Sequence, residues 1–341
     1  MTQAAHDVQR LGNLLGQVAG YVGHRTIEVG LRHAIFDRLA AHPDGVAVEE
    51  LAAEAGLNPF YLEVWCRSAY AAGVLEAVDE GYLLDATTAS LLADRDSPTY
   101  VGGMFTLLDQ PEVFDRFAEV FASGERTWWN EFSAEFIAGV AETSRPAYIR
   151  LVPAGLAQVP GLVDVLSGDA DVVDLGCGAG FGLTHLARNY PSVHLVGVDG
   201  DQYSLELAAA AVETTGFDDR VELVLSTLED LDRRDAFDVS IINLSMHECR
   251  DLDRVTDNVR QALRPGGYFV ISDFPFPDTA EGLRTVPGRV MSGIQFAEAQ
   301  IDDQLLPTQA YVDLLERHGF EAIGSFDITP THAVTHGRMP S

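Results

Sequence analysis

Residues 172–180 read Val-Val-Asp-Leu-Gly-Cys-Gly-Ala-Gly. β-Branched residues run into Asp174, and Gly176, Gly178 and Gly180 then alternate with other residues. That pattern predicts a buried strand ending in a tight glycine turn, with a helix after it. Glycine lets the backbone approach a nucleotide closely and take positive φ. The spacing is D-x-G-x-G-x-G, not the G-x-G-x-x-G of a dinucleotide site. The Lys-Ser/Thr pair of a triphosphate loop is missing as well.

Strands and helices alternate from Asp171 onward, which predicts a parallel, doubly wound sheet. Strands are expected near 171–175, 193–198, 221–225, 238–244 and 267–272, and helices near 180–190, 203–215, 252–263 and 308–318. Phe320–Ile328 and His332–Arg338 flank a Thr-Pro-Thr turn and read as a closing antiparallel pair. Asp199 ends the second strand about twenty residues after the glycine turn, where an acid accepts hydrogen bonds from ribose hydroxyls. Asp201 is a nearby competitor. The fourth strand runs into Asn243-Leu244-Ser245-Met246-His247-Glu248, and Arg264-Pro265-Gly266-Gly267 precedes the fifth.

Taken in order, these marks resemble the class I S-adenosylmethionine-dependent methyltransferases. The resemblance covers about 171–338 closely and the N-terminal half more loosely. It implies a seven-stranded Rossmann-like α/β sheet with S-adenosyl-L-methionine as cofactor. Asp174, Gly176, Cys177, Gly178 and Asp199 would hold that cofactor, with Thr227 and Leu228 at the adenine and Asn243 at the methionine part. The family commonly has Asp where Thr227 stands, so the adenine contact departs from the pattern; Glu229 or Asp230 are substitutes, or caps of the next short helix. In the O-methyltransferases that the chain resembles, a His-Asp pair after the fourth strand provides a general base. Here the pair is His247-Glu248. A histidine near neutral pKa suits removal of a hydroxyl proton during methyl transfer.

The N-terminal half reads differently. A helix around Ile27–Ala41, a short helix from Leu51, a helix over Phe60–Ala72 and a hairpin across Asp79-Glu80 together suggest a winged helix. Its second helix carries Glu63 and Arg67 as its only charges, which is poor for phosphate contact. A dimerisation role, as in the family, is favoured, giving a homodimer. The expected division is 1–96 for this module, 97–168 for a helical linker and substrate lid, and 169–341 for the catalytic domain. Within the linker, Trp128 or Trp129 is a candidate pocket wall. After the fifth strand, an irregular loop from Asp273 through Gly288 and Gly293 is expected to cover the acceptor, with Phe274 and Phe276 as walls.

Composition narrows the classes further. Lys and Arg total 22 against 52 Asp and Glu, a net charge of −30, and every basic residue is Arg. Such a surface repels nucleic acid and anionic membranes, and suits a cytosol of high salt. The 3 cysteines form no disulfide framework or zinc spacing, and no metal is expected; His332 and His336 share one strand face without a zinc pattern. Leu11–Gly23 is neither a signal peptide nor a membrane span. The expectation is a cytoplasmic methyltransferase acting on a small-molecule hydroxyl. Alternatives are a C-methyltransferase of a ring substrate and, in a different class, a winged-helix regulator using the fold as a ligand sensor.

Overall fold

The computed structural model describes residues 3–341. The chain divides at Asp109/Gln110 into two units, so the segment 110–168 falls with the sheet.

In the first unit, a helix over Gln3–Arg32 runs unbroken past Gly12, Gly16 and Gly20. The single helix expected over 27–41 is interrupted: Ala34 takes φ 49, and a new helix covers Ile35–Ala40. No Gly or Pro announces this break. The Arg38 guanidinium secures it by donating to the carbonyls of His33 and Ala34. Helices Val48–Ala55 and Pro59–Ala71 follow. The second starts where Asn58 accepts from the amides of Phe60 and Tyr61 and Pro59 supplies a preset φ. The hairpin is present as strands β1 (Glu76–Val78) and β2 (Gly81–Leu83). Ile35, Phe36, Leu39, Leu51, Leu62 and Trp65 fill the core between these pieces. On the first helix, Val8, Leu11, Leu15, Val18 and Val22 remain exposed within this chain.

The second unit holds one seven-stranded sheet. Its strands are β3 (Asp171–Leu175), β4 (His194–Asp199), β5 (Val221–Leu225), β6 (Phe237–Asn243), β7 (Leu263–Asp273), β8 (Glu321–Thr329) and β9 (His332–Arg338). Their spatial order is β5-β4-β3-β6-β7-β9-β8. The first five run parallel, and β9 and β8 close the edge antiparallel, as the pattern predicts. Alternate residues of the central strands face two separate cores. Val172, Leu195, Val239 and Val270 pack on one side; Val173, Val198, Ile242 and Phe269 pack on the other. Burial on both faces explains why these strands read as continuous apolar runs. Arg264 pins the lower end, donating to Asp171 and Asp238 at 2.6 Å each. β7 begins at Leu263 rather than near 267, through the Pro265-Gly266-Gly267 stretch that reads as a turn.

The expected irregular loop after β7 is corrected by a helix over Val286–Glu298, capped by Thr285. Its glycines conceal it in the sequence. A Cβ on Gly288 would lie 2.2 Å from the Gly282 carbonyl oxygen, so that glycine serves close packing within a helix.

Candidate active site

Strand order reverses at β3, so a crevice opens beyond the carboxyl ends of β3 and β6. Gly176, Gly178 and Gly180 all take positive φ there, at 67°, 52° and 79°. The amides of Gly176 and Cys177 donate to the Val198 carbonyl, binding the turn to β4. The Gly178 amide donates to one Asp199 oxygen at 2.8 Å, and the Asp201 amide donates to the other at 2.9 Å. Asp199 is therefore fixed against the glycine turn. Asp201 instead caps the helix Gln202–Thr215 through the Ser204 amide. Burial raises the Asp199 pKa.

Asp174 is fully buried. Both its oxygens accept from the Tyr148 hydroxyl, at 2.8 and 3.0 Å. Burial pushes its pKa up to about 7 against the opposing effect of that hydrogen bond. Tyr148 comes from the helix Ala134–Arg150. No signal in the sequence joins it to Asp174. Cys177 is buried, and burial raises its thiol pKa, so the residue presents backbone and not a reactive sulfur.

At the end of β5, the Thr227 hydroxyl donates to Asp230 at 3.0 Å. Asp230 also accepts from Arg254, and Glu229 accepts from the amides of Arg250 and Asp251. Both acids thus have structural partners. Leu228 packs half-buried against the core on the Val173 and Val198 face of the sheet. Asn243 ends β6 almost fully buried. Its Oδ1 accepts from Ser272 at 2.7 Å, while its Nδ2 makes no hydrogen bond. Leu244 follows with φ 57, a left-handed backbone that bends the chain toward His247. Such strain in a non-glycine residue is typical of functional sites.

His247 is 4% exposed. Its Nδ1 lies 2.8 Å from Asp273 Oδ1, and Nε2 lies 3.7 Å from Glu298 Oε2. Asp273 also accepts from the Phe274 amide and the Tyr311 hydroxyl. Burial opposes the imidazolium, but Asp273, with Glu298 behind it, raises the His247 pKa well above its usual value. The partner that orients this ring is therefore Asp273, not the adjacent Glu248. Asp273 and Glu298 are the members of this cluster that sequence reasoning missed. Asp273 had a legible signal, since it ends a parallel strand at the crevice. Burial also raises the pKa of Glu248, opposed by His247 and reinforced by Glu298 and Asp303. Asp303 is pushed up to about 7 by burial and then by Glu298.

Around this cluster, Phe274 is buried with its ring 6.0 Å from the imidazole. Trp128 is exposed, and the Arg250 guanidinium stands 3.8 Å over its ring. Trp129 packs on Phe132 and Phe136. Gln300 ties two segments together. Its Nε2 donates to the carbonyls of Glu112, Val113 and Phe296, its Oε1 accepts from Arg116, and its backbone carbonyl accepts from Thr127. His332 and His336 form no metal-type cluster among the described residues. His332 instead bonds Ser272 at 2.6 Å and accepts from Arg150.

A sheet of this order, with a glycine turn and acids at its carboxyl edge, defines the class I S-adenosylmethionine-dependent methyltransferase fold. Residues 166–319 match the family model described as a methyltransferase domain. Mitomycin 7-O-methyltransferase superposes with TM-score 0.70 at 18% identity, covering 98% of this chain and 99% of that one. Human N-acetylserotonin methyltransferase, solved in complex with SAM, gives TM-score 0.67 at 15% identity, with 100% and 99% covered. Methyltransferase GfsG of Streptomyces halstedii is 29% identical over 168 residues, which are 49% of this chain. The chain spans 58% of that relative's length.

Proposed function

We propose that this protein transfers a methyl group from S-adenosyl-L-methionine to a small-molecule acceptor, with a hydroxyl as the favoured target. The observation that carries the reading is the Asp199 carboxylate, clamped beside the positive-φ turn by the Gly178 and Asp201 amides. The residues fit the cofactor. A Cβ added to Gly178 would meet nothing within 4 Å, so that turn leaves room for a ligand at its backbone. Asp199 would hold the ribose, Thr227 and Leu228 would lie at the adenine, and Asn243 offers a buried, unused Nδ2 donor. Asp174, Gly176 and Cys177 shape the floor.

When bound, the cofactor supplies an electrophilic methyl group and a positive charge. The protein's own task is alignment of acceptor and sulfur, together with removal of the acceptor proton. His247 is the residue we assign to that proton. Asp273 holds Nδ1, so Nε2 is the atom presented. A neighbouring sulfonium charge would work against the imidazolium, drawing the raised His247 pKa back toward a working range. Glu248 shapes the acceptor end without touching the ring through a hydrogen bond.

We further propose a homodimer formed through the first unit. The support is the exposed row Val8, Leu11, Leu15, Val18 and Val22, spaced alternately three and four apart as in a coiled-coil seam. The helix, helix and hairpin order supports a winged-helix reading of that unit, used for assembly. A charge of −30 without Lys supports a salt-rich cytoplasm. No helix among the described residues is long and apolar enough to cross a membrane.

Calorimetric titration with S-adenosylmethionine and S-adenosylhomocysteine, at low and molar salt, tests the main proposal. Wild type should bind in the micromolar range. Asp199→Ala should bind about a hundredfold more weakly, because two charge-assisted hydrogen bonds are lost. Absence of binding by folded wild type in every salt would overturn the proposal.

A further inference from the structure

The His247 corner also has the donor set of a cation site. One ligand atom from each of His247, Glu248 and Glu298 lies within 4.8 Å of the other two. Glu298 is 8% exposed, and its Oε2 makes no hydrogen bond. A buried carboxylate oxygen left without a donor is costly. Here it faces the imidazole Nε2 at 3.7 Å. The other ring nitrogen is held at 2.8 Å by Asp273, which the Tyr311 hydroxyl and the Phe274 amide fix in turn. A carboxylate behind the far nitrogen is how proteins orient a metal-binding histidine and keep its lone pair directed at the ion.

We infer that His247, Glu248 and Glu298 bind one divalent first-row transition cation. Bonds of about 2.0–2.2 Å to nitrogen and carboxylate oxygen place adjacent ligand atoms about 3.4 Å apart in a tetrahedron. The His247–Glu298 separation is within a few tenths of an ångström of that, and small carboxylate rotations close the rest. One imidazole with two carboxylates suits zinc or manganese over a thiolate-seeking ion. The cation takes the same lone pair that the proposed base needs. The metal-loaded and base-competent states therefore exclude each other, a consequence that rests on the methyltransferase reading although binding does not.

The test uses full-length protein stripped with a chelator and titrated calorimetrically with Zn²⁺ and, separately, Mn²⁺. Wild type, Glu298→Gln and a surface control, Glu321→Gln, are compared in molar KCl to suppress diffuse binding to the acidic surface. S-adenosylhomocysteine affinity is measured on each protein as a check on the fold. The expected result is one tight equivalent in wild type and the control, weakened at least tenfold in Glu298→Gln with S-adenosylhomocysteine affinity retained. Equal binding by all three proteins, or no stoichiometric binding by wild type, would overturn the inference. Loss of S-adenosylhomocysteine binding in wild type would instead count against the proposed reaction.

Discussion

Asp174 carries a measurable cost that its hydrogen bonds hide. Its pKa of about 7 in the fold lies well above the ordinary 3.8, because burial disfavours the carboxylate. The folded state therefore holds the proton more tightly than the unfolded chain. This contribution favours the fold below pH 4, is lost as pH rises from about 4 to about 7, and then levels off. A shift of this size corresponds to roughly 4 kcal/mol at most. Asp174→Asn keeps an acceptor for Tyr148 and removes the charge. In thermal melts of cofactor-free protein, the variant should gain several degrees over wild type at pH 8 and little at pH 4.5. A gap between the two proteins that ignores pH would refute this account. Asp174 and Asp199 could be picked from the sequence because strand ends and glycine spacing are local. Tyr148, Asp273 and Glu298 lie 26 to 51 residues from the side chains they serve, and only the fold joins them.

Elements were legible wherever periodicity and punctuation agreed. β3 and β5 have the expected bounds, and the helices after β3 and β4 begin and end within a residue of expectation. The failures share a cause. The break at Ala34 lacks Gly or Pro, and the helix Val286–Glu298 contains two glycines that read as loop. In both, tertiary contacts overrule local propensity. Glycines in this protein therefore differ sharply in what they do. Gly182, in the helix after the glycine turn, would place a Cβ 2.2 Å from the Tyr148 ring and 2.7 Å from Asp174. Gly216 caps the helix Gln202–Thr215 at φ 71 with open space around it. Urea denaturation should show Gly182→Ala losing about 2–3 kcal/mol through overpacking, against about 1 kcal/mol for Gly216→Ala from backbone strain alone. Equal losses would mean that the Tyr148–Asp174 contact yields freely. Gly182→Ala should also weaken S-adenosylhomocysteine binding, while Gly216→Ala should not.

At the scale of the whole molecule, the exposed row on the first helix is the feature that a lone chain leaves unexplained. Replacing Leu11 and Leu15 together by Asp puts charges where the proposed seam is driest. Light scattering behind gel filtration in molar KCl should give a dimer mass for wild type and a monomer mass for the double variant. A monomeric wild type, or a variant that remains dimeric, would refute the assembly proposal. Circular dichroism of the variant should be unchanged, since neither side chain is in a core of this chain.

The hydrogen bonds of Gln300 have a kinetic corollary. They join residues 112–127 to residues 296–300 at four points. Any motion that clears the crevice on that side must carry both segments as a single leaf. That leaf meets the strand-end loop at the Trp128 ring under the Arg250 guanidinium, worth about 1 kcal/mol at an exposed site, and at Glu298 beside His247. A door so stiff in itself would set traffic by the release of these few contacts, not by the melting of a loop.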